Sequence, residues 1–118
     1  MSAGTEPETS RLRLRALAVG FRAVVEGAGA IDATTIAHFE QVLAGHVESC
    51  VRELWIDLSG LERVSLAVVH PLTRADRELA AAGRRLTVIG PAGAVRTGLE
   101  VAGVQVHPDR SSAQRSQR

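Results

Sequence analysis

One cysteine, three aromatic residues and almost no charge imbalance set the first limits on this 118-residue chain. A lone thiol, Cys50, excludes an internal disulfide framework and fits a reducing compartment. The only aromatics are Phe21, Phe39 and Trp55 against a hydrophobic fraction of 45%, so a core must be built from Val, Leu, Ile and Ala. The formal charge of +1 gives no field that would steer the chain to nucleic acid or to an anionic membrane. No apolar run approaches the roughly 18 residues of a membrane helix, and the first residues lack the basic-then-apolar pattern of a signal peptide. What these absences leave is one cytoplasmic domain, long enough to bury about two thirds of its unfolded surface.

Periodicity then organises the chain. Residues 1–10 are small and polar with Pro7, and read as a disordered lead. Arg11-Leu12-Arg13-Leu14-Arg15 alternates like a strand with one wet face, Gly20 breaks it, and Phe21 to Glu26 reads as a second, hairpin-paired strand ended by Gly27-Ala28-Gly29. Asp32 is placed to cap a helix whose apolar face is Ile36, Phe39, Leu43 and Val47. Leu54-Trp55-Ile56 has the continuous apolar character of a strand covered on both sides. Leu72, Ala75, Leu79 and Ala82 form a second helical face stopped by Gly83, and Pro71 fits only if it lies early in that helix. A strand at Leu86–Ile89, a short helix with Val95, Leu99 and Ala102, and a strand at Val104–Val106 complete residues 11–108. Residues 109–118 carry three arginines, offer nothing to fill a core, and read as a mobile tail. Strand–helix alternation after an initial hairpin predicts an α/β fold with a mostly parallel sheet.

Several segments resemble one family in order and spacing. Leu54-Trp55-Ile56-Asp57-Leu58-Ser59-Gly60-Leu61 is similar to the central strand and turn of STAS domains (sulphate transporter and anti-sigma antagonist). Gly29-Ala30-Ile31-Asp32-Ala33-Thr34-Thr35 resembles that family's Gly-x-Leu-Asp-x-x-Thr. Ala81-Ala82-Gly83-Arg84-Arg85-Leu86 resembles its Ala-Gly-Gly-x-Leu, and Pro91–Leu99 with Val101–Val104 its last helix and glycine exit. The resemblance implies a STAS-like fold: a mixed sheet of four to five strands with helices mainly on one face. It also implies the role of an anti-sigma factor antagonist, which binds an anti-sigma factor of the histidine-kinase-like ATPase type. The partner-binding residues it implies are Asp32, Ala33 and Thr34 at the first helix start, with Ser65, Leu66, Ala67 and Val68 at the second.

At that second position the family reads apolar-Asp-Ser-Ser-Gly, and its second serine is phosphorylated. Here Ser65, Leu66, Ala67 and Val68 follow Val64, so the hydroxyl is missing at Ala67. Ser65 is a weak candidate for modification, better explained as a helix cap. The expectation is therefore a regulatory domain that binds a kinase-type partner without a serine switch. The alternative is a scaffold module that assembles with other STAS proteins or with itself.

No other constellation carries chemistry. His38 and His46 are eight residues apart on one predicted helix, too far to share a metal, and no Cys/His/Asp cluster has zinc spacing. Asp32 and Asp57 read as cap and turn residues rather than an acid–base pair, and Cys50 has no evident base. Gly90-Pro91-Ala92-Gly93 and Gly27-x-Gly29 match no nucleotide fingerprint. Neither an enzyme nor a cofactor is expected.

Overall fold

The structure, a computed structural model, describes residues 11–49 and 52–116. Cys50 and the proposed disordered lead at residues 1–10 lie outside the described residues, as do 117 and 118. The elements run β1 (Arg13–Val19), β2 (Arg22–Ile31), α1 (Ile36–Ser49), β3 (Glu53–Asp57), β4 (Leu61–Val64), α2 (Val69–Ala81), β5 (Arg85–Ile89), α3 (Gly93–Val101), β6 (Val106–His107) and α4 (Arg110–Arg115). The sheet order is β1-β2-β3-β5-β6, with β4 pairing only to β2. The β1–β2 hairpin is antiparallel and every other pairing is parallel. Strands β1 and β6 are thus the two ends of the main path, and β4, paired on one side only, is a further edge; β1 carries exposed Arg13 and Arg15, whereas β6 is only two residues long.

Strand β2 runs past the predicted stop. Gly27 and Gly29 lie inside it because the backbone is crowded there, not because the chain turns. A Cβ on Gly29, whose φ is +94°, would stand 1.5 Å from the Arg11 carbonyl oxygen. Glycine in a strand interior marks such an approach, and the β2–β4 register shifts between Gly29 and Ala30. This extension carries β2 beyond the end of β3, where β4 takes over as its neighbour.

Alternation along the central strands separates two apolar layers. Leu54, Ile56, Leu86 and Val88 join Phe39, Leu43 and Val47 of α1, Leu72, Ala75 and Leu79 of α2, and Leu99 of α3 in the main core. The predicted faces of α1 and α2 are the buried ones, save that Ile36 is only partly covered and Ala82, just past the end of α2, is exposed. Pro71 falls in the first turn of α2, where its missing N–H has no intrahelical partner to lose. The opposite face holds a smaller cluster of Val24, Trp55, Ile89 and Ala113. There Arg22 bonds Glu53 at 3.0 Å, Arg85 reaches the same carboxylate at 3.3 Å, and the Arg22 guanidinium stacks 3.8 Å from the Trp55 ring centre.

The expected mobile tail is corrected at residues 109–116. Asp109 Oδ1 accepts the Ser112 amide at 2.7 Å and so caps α4, and Ala113 is 0% exposed against Trp55 and Ile89. A small side chain sufficed to fill the remaining gap, which is why the segment's polar composition was misleading.

Burial on α2 raises the pKa of Asp76, and Arg77 pulls it only part of the way back. A raised folded-state value means this group favours folding below its ordinary pKa of 3.8 and opposes it once ionised. Asp76→Asn is expected to raise the melting temperature at pH 7 and to lose that gain near pH 3. Thermal melts of both proteins from pH 3 to 8 check this.

Candidate functional site

Two turns at one end of the sheet stand side by side because β2 and β4 pair in parallel. Ile31 is opposite Val64, and the Ser65 amide donates to the Ile31 carbonyl at 2.8 Å. Asp32 and Ser65, each the first residue after its strand, are thereby brought side by side. Five of the seven residues predicted for the surface belong to exposed or half-exposed turn positions around Asp32–Thr34 and Ser65–Leu66, and Ala67 makes a sixth.

The first turn is built on the Asp32 carboxylate. Its Oδ1 accepts the Thr34 hydroxyl at 2.7 Å, the Thr34 amide at 2.9 Å and the Thr35 amide at 3.2 Å. Thr35 locks the turn from inside, accepting the Asp32 amide and donating to the Ala30 carbonyl, both at 2.9 Å. These donors, the Thr34 hydroxyl first among them, hold the Asp32 pKa below its ordinary value. Asp32 Oδ2 lies 3.7 Å from Arg63 of β4, an exposed pair that adds little to stability. The aspartate thus caps the entry to α1, while Ala33 and Thr34 project into solvent.

In the second turn Ser65 Oγ accepts the Ala67 amide at 3.1 Å and caps a single 3-10 turn at Leu66–Val68, which runs into α2. Its hydroxyl oxygen is engaged in the cap, as the sequence implied. Leu66 is 57% exposed and Ala67 is exposed, but Val68 is 0% exposed. Placing Val68 on the surface was therefore wrong: it turns inward as the first core contact of the helix entrance, among the cluster of Leu72 and Leu99. Thr73, inside α2, donates to the Val69 carbonyl at 2.7 Å.

A second grouping went unseen in the sequence. Arg110 of α4 crosses to the open sheet face, where its Nε donates to Asp57 Oδ2 at 2.7 Å and its terminal nitrogen bonds Glu26. Asp57 uses its other oxygen in the expected turn, accepting the Ser59 amide at 2.9 Å and hydroxyl at 2.6 Å. The two carboxylates, Asp57 foremost, raise the Arg110 pKa. The signal was present as Asp109-x-x-Ser112, a capping spacing directly before Arg110.

Among the described residues no three His, Cys, Asp or Glu side chains are placed to hold a metal, and no helix is long and apolar enough to cross a membrane. Gly90, Pro91 and Ala92 connect β5 to α3, which begins at Gly93.

Residues 19–106 match the family model described as "Mlab, STAS domain". No curated protein matches the chain. Among solved structures, an anti-sigma factor antagonist from Mycobacterium paratuberculosis superposes with a TM-score of 0.77 at 21% identity, over 91% of this chain and 94% of that one. The antagonist SpoIIAA of Bacillus, in its unphosphorylated form, gives 0.70 at 14% identity over 91% and 98%. A chain from the stressosome, described as a signal integration and transduction hub, gives 0.54 at 23% identity over 82% and 90%. At these identities the likeness is one of fold. The four- to five-stranded sheet expected from sequence corresponds to the five strands of the main path, and β4 is the addition.

Proposed function

Since the chain belongs to the STAS-domain family, we propose that it is a regulatory protein-binding domain of the anti-sigma factor antagonist type. It captures an anti-sigma, histidine-kinase-like ATPase in the cytoplasm, needs no cofactor and catalyses no reaction. The observation that carries this reading is the juxtaposition of the Asp32–Thr34 and Ser65–Ala67 turns through the Ser65–Ile31 hydrogen bond. Asp32, Ala33, Thr34, Ser65, Leu66 and Ala67 form the docking surface, with Leu66 as its apolar anchor.

The missing hydroxyl at Ala67 makes docking constitutive in this reading. Phosphate at that position would add about −1.5 to −2 charges to the surface. Without it the turn stays apolar, and Ser65 remains committed to its cap.

A second reading is favoured by the exposure of Leu66 and by the fold shared with a stressosome chain. Here the same surface serves assembly, with other STAS proteins or further copies of this one as the partners. Pull-down of the tagged chain from lysate of its source organism, followed by mass spectrometry, separates the two. Recovery of a histidine-kinase-like ATPase supports capture, whereas recovery of STAS proteins alone supports assembly.

A further inference from the structure

The open sheet face carries a small acidic notch whose present occupant is an arginine of the same chain. Glu26 and Asp57 are directly opposite each other on the parallel pair β2–β3. Two like charges at that position repel unless a cation stands between them. Arg110 meets both at once, Nε toward Asp57 and a terminal nitrogen toward Glu26. A guanidinium presents such a fork rigidly and an ammonium does not.

Apart from the two carboxylate bonds, little holds the occupant in place. Helix α4 has six residues, well short of the roughly 12–15 that an isolated helix needs. Its one fully buried side chain is Ala113, and the Arg110 side chain remains 39% exposed. Elements with few buried contacts open first.

The face beneath is made to be covered. Trp55 is 1% exposed in the cluster that Ala113 completes, and among the described residues its indole N–H has no partner. Beside the notch lies an open cavity of about 480 Å³, lined by Arg13, Arg15, Glu26, Asp57, Ser59 and Arg110 among others. That volume is more than one guanidinium fills, and within the range of small ligand sites.

We propose that the Glu26–Asp57 notch is a guanidinium-binding site that α4 occupies in cis, and that an arginine-bearing segment of a partner takes it when α4 lifts. Helix α4 then acts as a releasable strap and its Arg110 as an internal competitor. This surface lies on the opposite side of the sheet from the main core and does not depend on the docking role assigned to the Asp32 and Ser65 turns.

The chain's single tryptophan reports on the site directly. Arg110→Gly in the full chain is expected to shift Trp55 emission to the red while far-UV circular dichroism stays unchanged. Guanidinium at low, non-denaturing concentration should restore the emission; ammonium and sodium at equal ionic strength should not. The peptide of residues 108–118 should bind that variant at least ten times more tightly than the same peptide with Arg110→Ala, and Glu26→Gln with Asp57→Asn should abolish the difference. In the wild-type chain, where no variant can misfold, an arginine peptide should speed amide exchange at Ala113 and Ser116 and a lysine peptide should not. Unchanged Trp55 emission in the variant, failure of guanidinium to restore it, or exchange indifferent to the arginine peptide would each overturn the proposal.

Discussion

Ala67→Asp is expected to weaken capture of the partner by at least about tenfold while leaving the melting temperature unchanged or slightly raised. The side chain at 67 points to solvent, so a carboxylate there meets no packing restriction. It also lies in the turn that leads into α2, and a negative charge at a helix start is mildly favourable. For a docked partner the balance reverses. The new charge must be desolvated on docking, beside Asp32 of the same surface, and burying a charge without a partner to pair it is costly. Titration of the recovered partner by calorimetry, with thermal melts of both proteins, measures the two effects separately. Equal affinity for variant and wild type would rule out the surface built from the Asp32 and Ser65 turns. The companion change Ala67→Ser restores a hydroxyl but not the acidic neighbour, and is expected to take up little phosphate from the partner. Rapid uptake would show that the neighbour is dispensable.

A large loss of stability is expected from Gly90→Ala, about 3 kcal/mol, which for a chain of this size lowers the melting temperature by roughly 10 °C. Two causes add. Gly90 has φ +94°, where any Cβ is strained, and the Cβ would stand 2.5 Å from both Cα and Cβ of Ser59. Neither neighbour can retreat cheaply. The Gly90 amide is bonded to the His107 carbonyl at 2.8 Å, and Leu58, one residue before Ser59, is bonded to Ile89 at 2.7 Å. The strand ends β3, β5 and β6 converge at this point, so relief of the clash would open the centre of the sheet. Urea unfolding of the two proteins at neutral pH provides the comparison.

How much of this was legible in the sequence depended on whether a residue's role was local. Phe39, Leu43 and Val47, or Leu72, Ala75 and Leu79, announce their helices because helical spacing places them on one face, and those faces are buried. Asp32 and Ser65 announce their caps because a carboxylate or hydroxyl before a helix binds its first free amides. Strand β4 was not legible: Leu61–Val64 is four residues with Glu62 and Arg63 at its centre, and it exists only because β2 extends past β3. Gly29 pointed the wrong way for the same reason, since a glycine that permits backbone crossing looks like one that permits a turn. Asp109-x-x-Ser112 marks the helix that carries Arg110, but the pairing of Arg110 was not legible because Asp57 and Glu26 are 53 and 84 residues away. Within the candidate surface, neighbouring residues could be grouped from sequence, but the inward turn of Val68 follows from packing against α2 and α3.

The edges of the sheet restrict how copies of this chain can associate. Edge β1 presents Arg13 and Arg15 on alternate positions, so two such strands laid antiparallel would bring guanidinium groups together along the seam. Edge β6, with Val106 and His107 alone, offers too few backbone groups to hold a neighbour. Association of copies along β1 or β6 is therefore disfavoured, and strand pairing at these two ends of the sheet gives no route to a continuous fibre.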